Sequence, residues 1–169
     1  MSRPYCIALL LAALSVPKLS PADDERQILT PKPPAEARIN GPTVYGARPG
    51  HPFLYRIPCT GSRPVRFAAV GLPASLQLHS TTGIITGSTP DKPGVYAVTL
   101  RAANAQGKAS RLFRIVVGET LALTPPMGWN SWYTFYGRVT DKIVPQAADT
   151  MISSGMADFG YQYVNVDEG

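Results

Sequence analysis

The sequence predicts an antiparallel β-sandwich followed by one strand–helix–strand unit. Three observations carry this expectation. Between Thr43 and Glu119, short β-rich runs alternate with turn residues and show no helical period. Over Val144–Met156 the apolar spacing lengthens to three and four residues, which is one face of a helix. That helix lies between two further short apolar runs, near Met127–Trp132 and at Tyr161–Val166, so the two flanking strands are expected to pair in parallel.

Met1–Ala22 has the layout of a signal peptide. Arg3 supplies a short positive start, and CIALLLAALSV (Cys6–Val16) is an apolar run too short to span a bilayer as a helix. Ser20 and Ala22 are small, which places cleavage after Ala22. The mature chain is therefore expected to be exported to the periplasm, the outside or the cell surface, with no stable membrane span. Cleavage would remove Cys6 and leave Cys59 as the lone cysteine, without a partner for a disulfide in this chain. Cys59 then reads as a small apolar core residue. DDERQILTPKPPAEARINGP (Asp23–Pro42) is polar and rich in proline, and reads as an extended linker.

Residues 43–119 form the expected sandwich. PFLYRI (Pro52–Ile57) and VRFAAV (Val65–Val70) are β-rich. In VYAVTLRAAN (Val95–Asn104), Tyr96, Val98, Leu100 and Ala102 share one face while Thr99 and Arg101 share the other. NAQG (Asn104–Gly107) is a hairpin turn, and KASRLFRIVVGE returns with Phe113, Ile115 and Val117 on one face. Gly83 and Gly87 are expected to bracket a tight hairpin at positive φ, and Pro93–Gly94 to turn the chain into the long strand. Residues 121–169 hold the strand–helix–strand unit. Thr140 or Asp141 is expected to cap the helix, Pro145 to lie in its first turn, and Gly155 to end it. Residues 38–118 should fold alone, whereas 121–169 should not, because a parallel pair needs cover on both faces.

Composition excludes several functions. Hydrophobic residues make up 44% and charged residues 16%, which supports a packed core and argues against disorder. The net charge is +5, but Lys and Arg are scattered and no basic run is interleaved with aromatics, so nucleic acid is not an indicated partner. His51 and His79 lack metal-ligand spacing, and no glycine loop suited to cradling phosphate occurs, so neither a metal nor a cofactor is implied.

The chemistry concentrates at the ends of the last unit. Both tryptophans, Trp129 and Trp132, lie in TPPMGWNSWYTFYG, and the chain reaches Asp167 and Glu168 at the close of YQYVNVDEG. If the unit opens a (β/α)8 barrel, Trp132 and the two acids fall at the carboxyl ends of its first two strands, where such barrels build active sites. A tryptophan face covers the C–H face of a pyranose, and carboxylates accept charge-assisted hydrogen bonds from its hydroxyls. Residue types alone leave alternatives open: tryptophans also serve as core, and Asp-Glu also begins solvated loops.

Two resemblances sharpen this reading. GLPASLQLHSTTGIITGSTPDKPGVYAVTLRAANAQGKAS resembles the immunoglobulin-like modules of bacterial surface and secreted proteins, over roughly Arg38–Gly118. Such modules act as spacers or adhesion platforms. LTPPMGWNSWYTFYG and AADTMISSGMADFGYQYVNVDEG resemble the opening of glycoside hydrolase family 27 α-galactosidases, over Leu123–Gly169. That resemblance implies that Trp132, Asp167 and Glu168 line a galactose pocket while Trp129 packs. It also implies a retaining mechanism whose two catalytic carboxylates, both Asp, lie on later barrel strands beyond residue 169. The 169-residue chain is therefore expected to be inactive by itself, with an α-galactoside oligosaccharide or polysaccharide as the substrate of the larger enzyme. The sequence departs from the family pattern in Glu168, where many members have Asp, and in Gly137 and Gly169, where many have a cystine. The competing expectation is a secreted, non-catalytic carbohydrate-binding or adhesion protein working through the immunoglobulin-like module.

Overall fold

The computed structural model describes residues 32–167. The expected signal peptide, the first part of the expected linker and Glu168 lie outside the described residues. The order of elements is β1 (Arg38–Ile39), β2 (Val44–Ala47), β3 (Pro52–Arg56), β4 (Cys59–Thr60), β5 (Arg66–Val70), β6 (Leu76–Leu78), β7 (Ile84–Ser88), β8 (Gly94–Ala103) and β9 (Lys108–Val117). There follow β10 (Gly128–Asn130), the short helix α1 (Trp132–Phe135), α2 (Ile143–Ser153) and β11 (Tyr163–Asn165), with 3-10 turns at Tyr136–Arg138 and Met156–Phe159.

Residues 32–118 fold as a two-sheet sandwich. One sheet has the order β2-β9-β8-β5 and the other β3-β7-β6, while β1 and β4 form a small antiparallel pair at the side. The β8–β9 hairpin is the longest ladder, running from Gly94↔Val117 to Ala103↔Lys108. Its turn closes as NAQG predicts: the Asn104 side-chain oxygen accepts from the N–H groups of Gln106 and Gly107 at 3.0 and 2.9 Å. The predicted alternation holds on both strands. Val98, Leu100, Ala102, Phe113, Ile115 and Val117 are buried, and they face Phe53, Tyr55, Leu76 and Ile85 of the other sheet. Phe113 stacks on Tyr55 with centroids 4.6 Å apart, and Tyr45 closes edge-on against Phe53 and Tyr55.

The structure departs from the sequence expectation in four places. The ladder between β2 and β9 is parallel, so the sandwich is not wholly antiparallel. These two strands are joined through the entire module, and no short turn forces them to run in opposite directions. The stretch read as linker contains β1, whose Arg38 and Ile39 pair with Thr60 and Cys59. Gly87 does not bracket a hairpin. It lies within β7 at φ +130°, where a Cβ would come 2.2 Å from the Ser75 carbonyl oxygen, so it is a point of close backbone approach. Gly83, at φ +73°, does sit in the turn. Finally, α2 begins with Lys142 as its cap and has no side-chain cap bond. Thr140 contributes only its backbone oxygen, which accepts from Ile143 and Val144. Pro145 falls in the first turn of α2, and Gly155 follows the helix in the left-handed region at φ +81°, both as its residue type requires.

The C-terminal segment makes the predicted strand–helix–strand unit. β10 and β11 pair in parallel, with Gly128↔Tyr163, Trp129↔Val164 and Asn130↔Asn165 in register. No side chain fits at Gly128, where a Cβ would overlap the Tyr163 backbone. The sandwich and this unit belong to one compact body. The connecting segment lies along β2, and a Cβ on Gly46 would stand 2.4 Å from the Leu121 carbonyl oxygen.

Two outcomes follow for the sandwich. Phe113→Ala should cost about 3–5 kcal/mol in chemical denaturation, whereas Leu112→Ala, on the opposite face of the same strand and 59% exposed, should stay within about 0.5 kcal/mol. Burial also raises the Cys59 thiol above its ordinary 9.0 and the Tyr55 phenol above its ordinary 10.0. Both groups are held neutral in the fold. Their contribution is intact below those unfolded values and is lost as pH rises toward the raised folded values. The denaturation midpoint should therefore hold steady at neutral pH and fall above about pH 9.

Candidate functional site

The carboxyl ends of β10 and β11 are laced together by the residues between Trp129 and Trp132. Ser131 is fully buried. Its N–H donates to the Asn165 carbonyl at 3.1 Å, and its hydroxyl accepts from the Asp167 N–H at 3.0 Å. One buried serine thus joins the end of β10 to both the end of β11 and the residue that follows it. Asn130 works on both sides. Its side-chain oxygen accepts from the Trp132 N–H at 2.9 Å, starting the turn into α1, while its side-chain nitrogen donates to Asp167 Oδ2 at 2.9 Å. The small and amide residues in WNSW are therefore what aim Trp132 and Asp167.

The structure brings these two predicted residues to the same end of one strand pair. Trp132 opens α1 and is half-buried, with its ring edge-on to Tyr136 at 5.4 Å. Asp167 is half-buried, and its Oδ1 takes no hydrogen bond among the described residues. It is an acceptor held in place by its other oxygen. Glu168 lies outside the described residues. Trp129 points the other way. It packs near Phe135, with centroids 6.0 Å apart, and lines an apolar groove with Ile143, Ala147, Met151 and Met156.

Sequence reasoning passed over three contributors. Asn130 and Ser131 bridge to Asp167, 37 and 36 positions away, and no local sequence pattern marks such a bridge. Tyr136 is the third. It is 52% exposed and holds φ +50° with ψ −136°, a conformation costly for a tyrosine. Such strain collects at functional sites, and here it sets the ring against Trp132. Among the described residues no three His, Cys, Asp or Glu side chains come together as a metal site. Cys59 is buried and unpaired.

Residues 35–118 match the family described as "Putative Ig domain". Over 50 residues the chain is 52% identical to α-galactosidase A of Cellvibrio japonicus, and over 79 residues it is 35% identical to an α-galactosidase of rice. Over these stretches the chain is homologous to α-galactosidases. It is a small part of their length: the matched stretches cover 30% and 47% of this chain but only 12% and 19% of those two relatives. Two crystal structures from Bacteroides fragilis, described as a "putative alpha-galactosidase" and a "putative alpha-galactosidase/melibiase", superpose with TM-scores of 0.75 and 0.73 at 45% identity. The first superposition covers 83% of this chain and 30% of the other. That share exceeds what the Ig-like module alone supplies, so the same module is joined to the same kind of segment in both proteins.

The lacing makes a checkable statement about the α-galactosidase-like segment. Ser131→Ala removes the acceptor of a half-buried N–H, which should cost about 1–3 kcal/mol locally. Hydrogen exchange at the Asp167 amide should speed up by roughly 5- to 150-fold, while Thr134→Ala, at an exposed position of α1, should leave it unchanged.

Proposed function

We propose that this chain is the N-terminal part of an exported α-galactosidase. In this reading residues 1–22 are the signal peptide, a linker leads from Asp23 to the Ig-like module, which takes in β1 and runs through residues 35–118, and 121–169 are the opening strand–helix–strand unit of a (β/α)8 catalytic barrel. The observation that carries it is the arrival of Trp132 and Asp167 at one end of a parallel strand pair, in a chain homologous to α-galactosidases.

The substrate is a terminal α-D-galactosyl residue. Trp132 lays its ring on the sugar's C–H face. Asp167, fixed through Oδ2 by Asn130, offers Oδ1 to a hydroxyl, and the resemblance assigns Glu168 to the same sugar. These residues bind and orient without reacting. Cleavage belongs to a retaining pair of carboxylates, one nucleophile and one acid/base, on barrel strands beyond residue 169. Asp158 is not available for that chemistry, because both of its carboxylate oxygens are already engaged.

The gene beyond the codon for Gly169 should continue through alternating strands and helices to a strand-end Lys-x-Asp and a later Asp. Its whole product should hydrolyse an aryl α-galactoside, and the 169-residue chain should not. In the whole product Asp167→Asn should lower kcat/KM by roughly 10- to 100-fold, the loss of one hydrogen bond to a charged group. Turnover by the short chain, or an unchanged kcat/KM in the variant, would refute the proposal.

A further inference from the structure

Parallel strands have two distinguishable ends. The exit ends of β10 and β11, at Asn130 and Asn165, carry Trp132 and Asp167. The entry ends, at Gly128 and Tyr163, face the sandwich. The turn Met156–Phe159 and the residues leading into β11 hold the contact. Asp158 lies between two arginines of the sandwich: Arg56 Nη2 is 2.6 Å from its Oδ1, and Arg63 Nη2 is 2.5 Å from its Oδ2. Arg56 ends β3, and Arg63 also donates to the Cys59 carbonyl, so both guanidiniums are anchored in the module. The Asp158 carbonyl accepts from the Asn40 side chain at 2.9 Å, and the Gln162 side chain donates to the Arg56 carbonyl at 2.7 Å.

Shape agrees with charge. Gly160, at φ +109°, meets Gly41, at φ +77°, so closely that a Cβ on Gly160 would stand 2.8 Å from the Gly41 Cα. Two backbones in contact without side chains between them form a fitted surface rather than a chance approach. Beside this contact Tyr45 and Tyr55 of the sandwich face Met151, Ala157 and Tyr163 across an apolar hollow. The interface thus has an apolar patch, a backbone seam and an ionic clamp, all at the entry end of the strand pair.

We propose that the Ig-like module is an intramolecular brace, which grips the 156–162 turn through Asp158 and thereby orders the strand–helix–strand unit from the end opposite its sugar-facing residues. The module is then part of the scaffold of this segment and not an added surface for the same sugar. The grip is lopsided by design of its charges. Among the described residues Asp158 is the carboxylate between the part-buried guanidinium of Arg56, whose Nη1 is buried without a hydrogen-bond partner, and the exposed guanidinium of Arg63. Removing the acid leaves two neighbouring cations without an anion between them, and the loss falls mainly on Arg56, the one partly withdrawn from water. The inference needs no catalytic reading. Should the unit open a barrel as proposed above, this end is the barrel face associated with stability.

Hydrogen exchange on the 169-residue chain tests it with two variants. Asp158→Asn removes the clamp, and Gly160→Ala wedges the seam. Each should lower protection of the β11 amides, Tyr163–Asn165, at least tenfold, while the β8 and β9 amides keep theirs. Unchanged protection of β11 in both variants would overturn the brace. Equal loss in β8, β9 and β11 would overturn it as well, because Asp158 and Gly160 would then support the sandwich as a whole. Neither result bears on whether the whole gene product cleaves α-galactosides, so the two proposals fail separately.

Discussion

Two parallel strands of three residues each cannot shelter themselves. Their ladder offers too few hydrogen bonds to offset the ordering of the chain, and both faces need cover. Everything in the C-terminal segment answers that constraint. Helix α2 covers one side with Met151, the only buried residue of the helix. Ser131 ties the exit ends together from inside. The sandwich takes the entry ends, where the Gln162 side chain donates to the Arg56 carbonyl. The apolar groove along Trp129, Ile143 and Ala147 stays open in the described residues. Ile152, on the apolar face that the sequence marks, is 60% exposed.

What was legible in the sequence was whatever depended on local pattern. The β8–β9 hairpin was readable because ten-residue strands repeat their alternation often enough to fix a face. The helix was readable because its face recurs three times before Gly155 stops it. The two-residue strands β1 and β4 carry no period at all. The parallel ladder of β2 on β9 joins residues whose chain separation says nothing about direction. The helix cap failed for another reason: Thr140 and Asp141 are good caps by type, but the chain starts the helix after Lys142, so no side chain closes it.

The site shows the same division. Trp132 and Asp167 stand out through the family resemblance, since residue type and strand-end position left core and solvated-loop readings open, and the structure brings both to one end of the strand pair. Asn130 and Ser131, which hold them, were missed, because a buried bridge between residues 36 apart leaves no local trace. Asp158 was the hardest to place. By type it belongs with the other acids beside the helix. Its role comes from arginines 95 and 102 residues away, which no spacing rule reaches.

The connecting segment that lies along β2, with Leu121 against Gly46, changes how strong the docking surface has to be. A short tether makes docking an intramolecular event, with an effective concentration on the order of millimolar. Ion pairs that keep a quarter to almost half of their side-chain surface in water are weak as glue between separate molecules. Held beside their targets by so short a strap, they need only choose one orientation among the few the strap permits. Cut between Gly118 and Met127, the same two pieces would meet as strangers, and these contacts would be too few to keep them together.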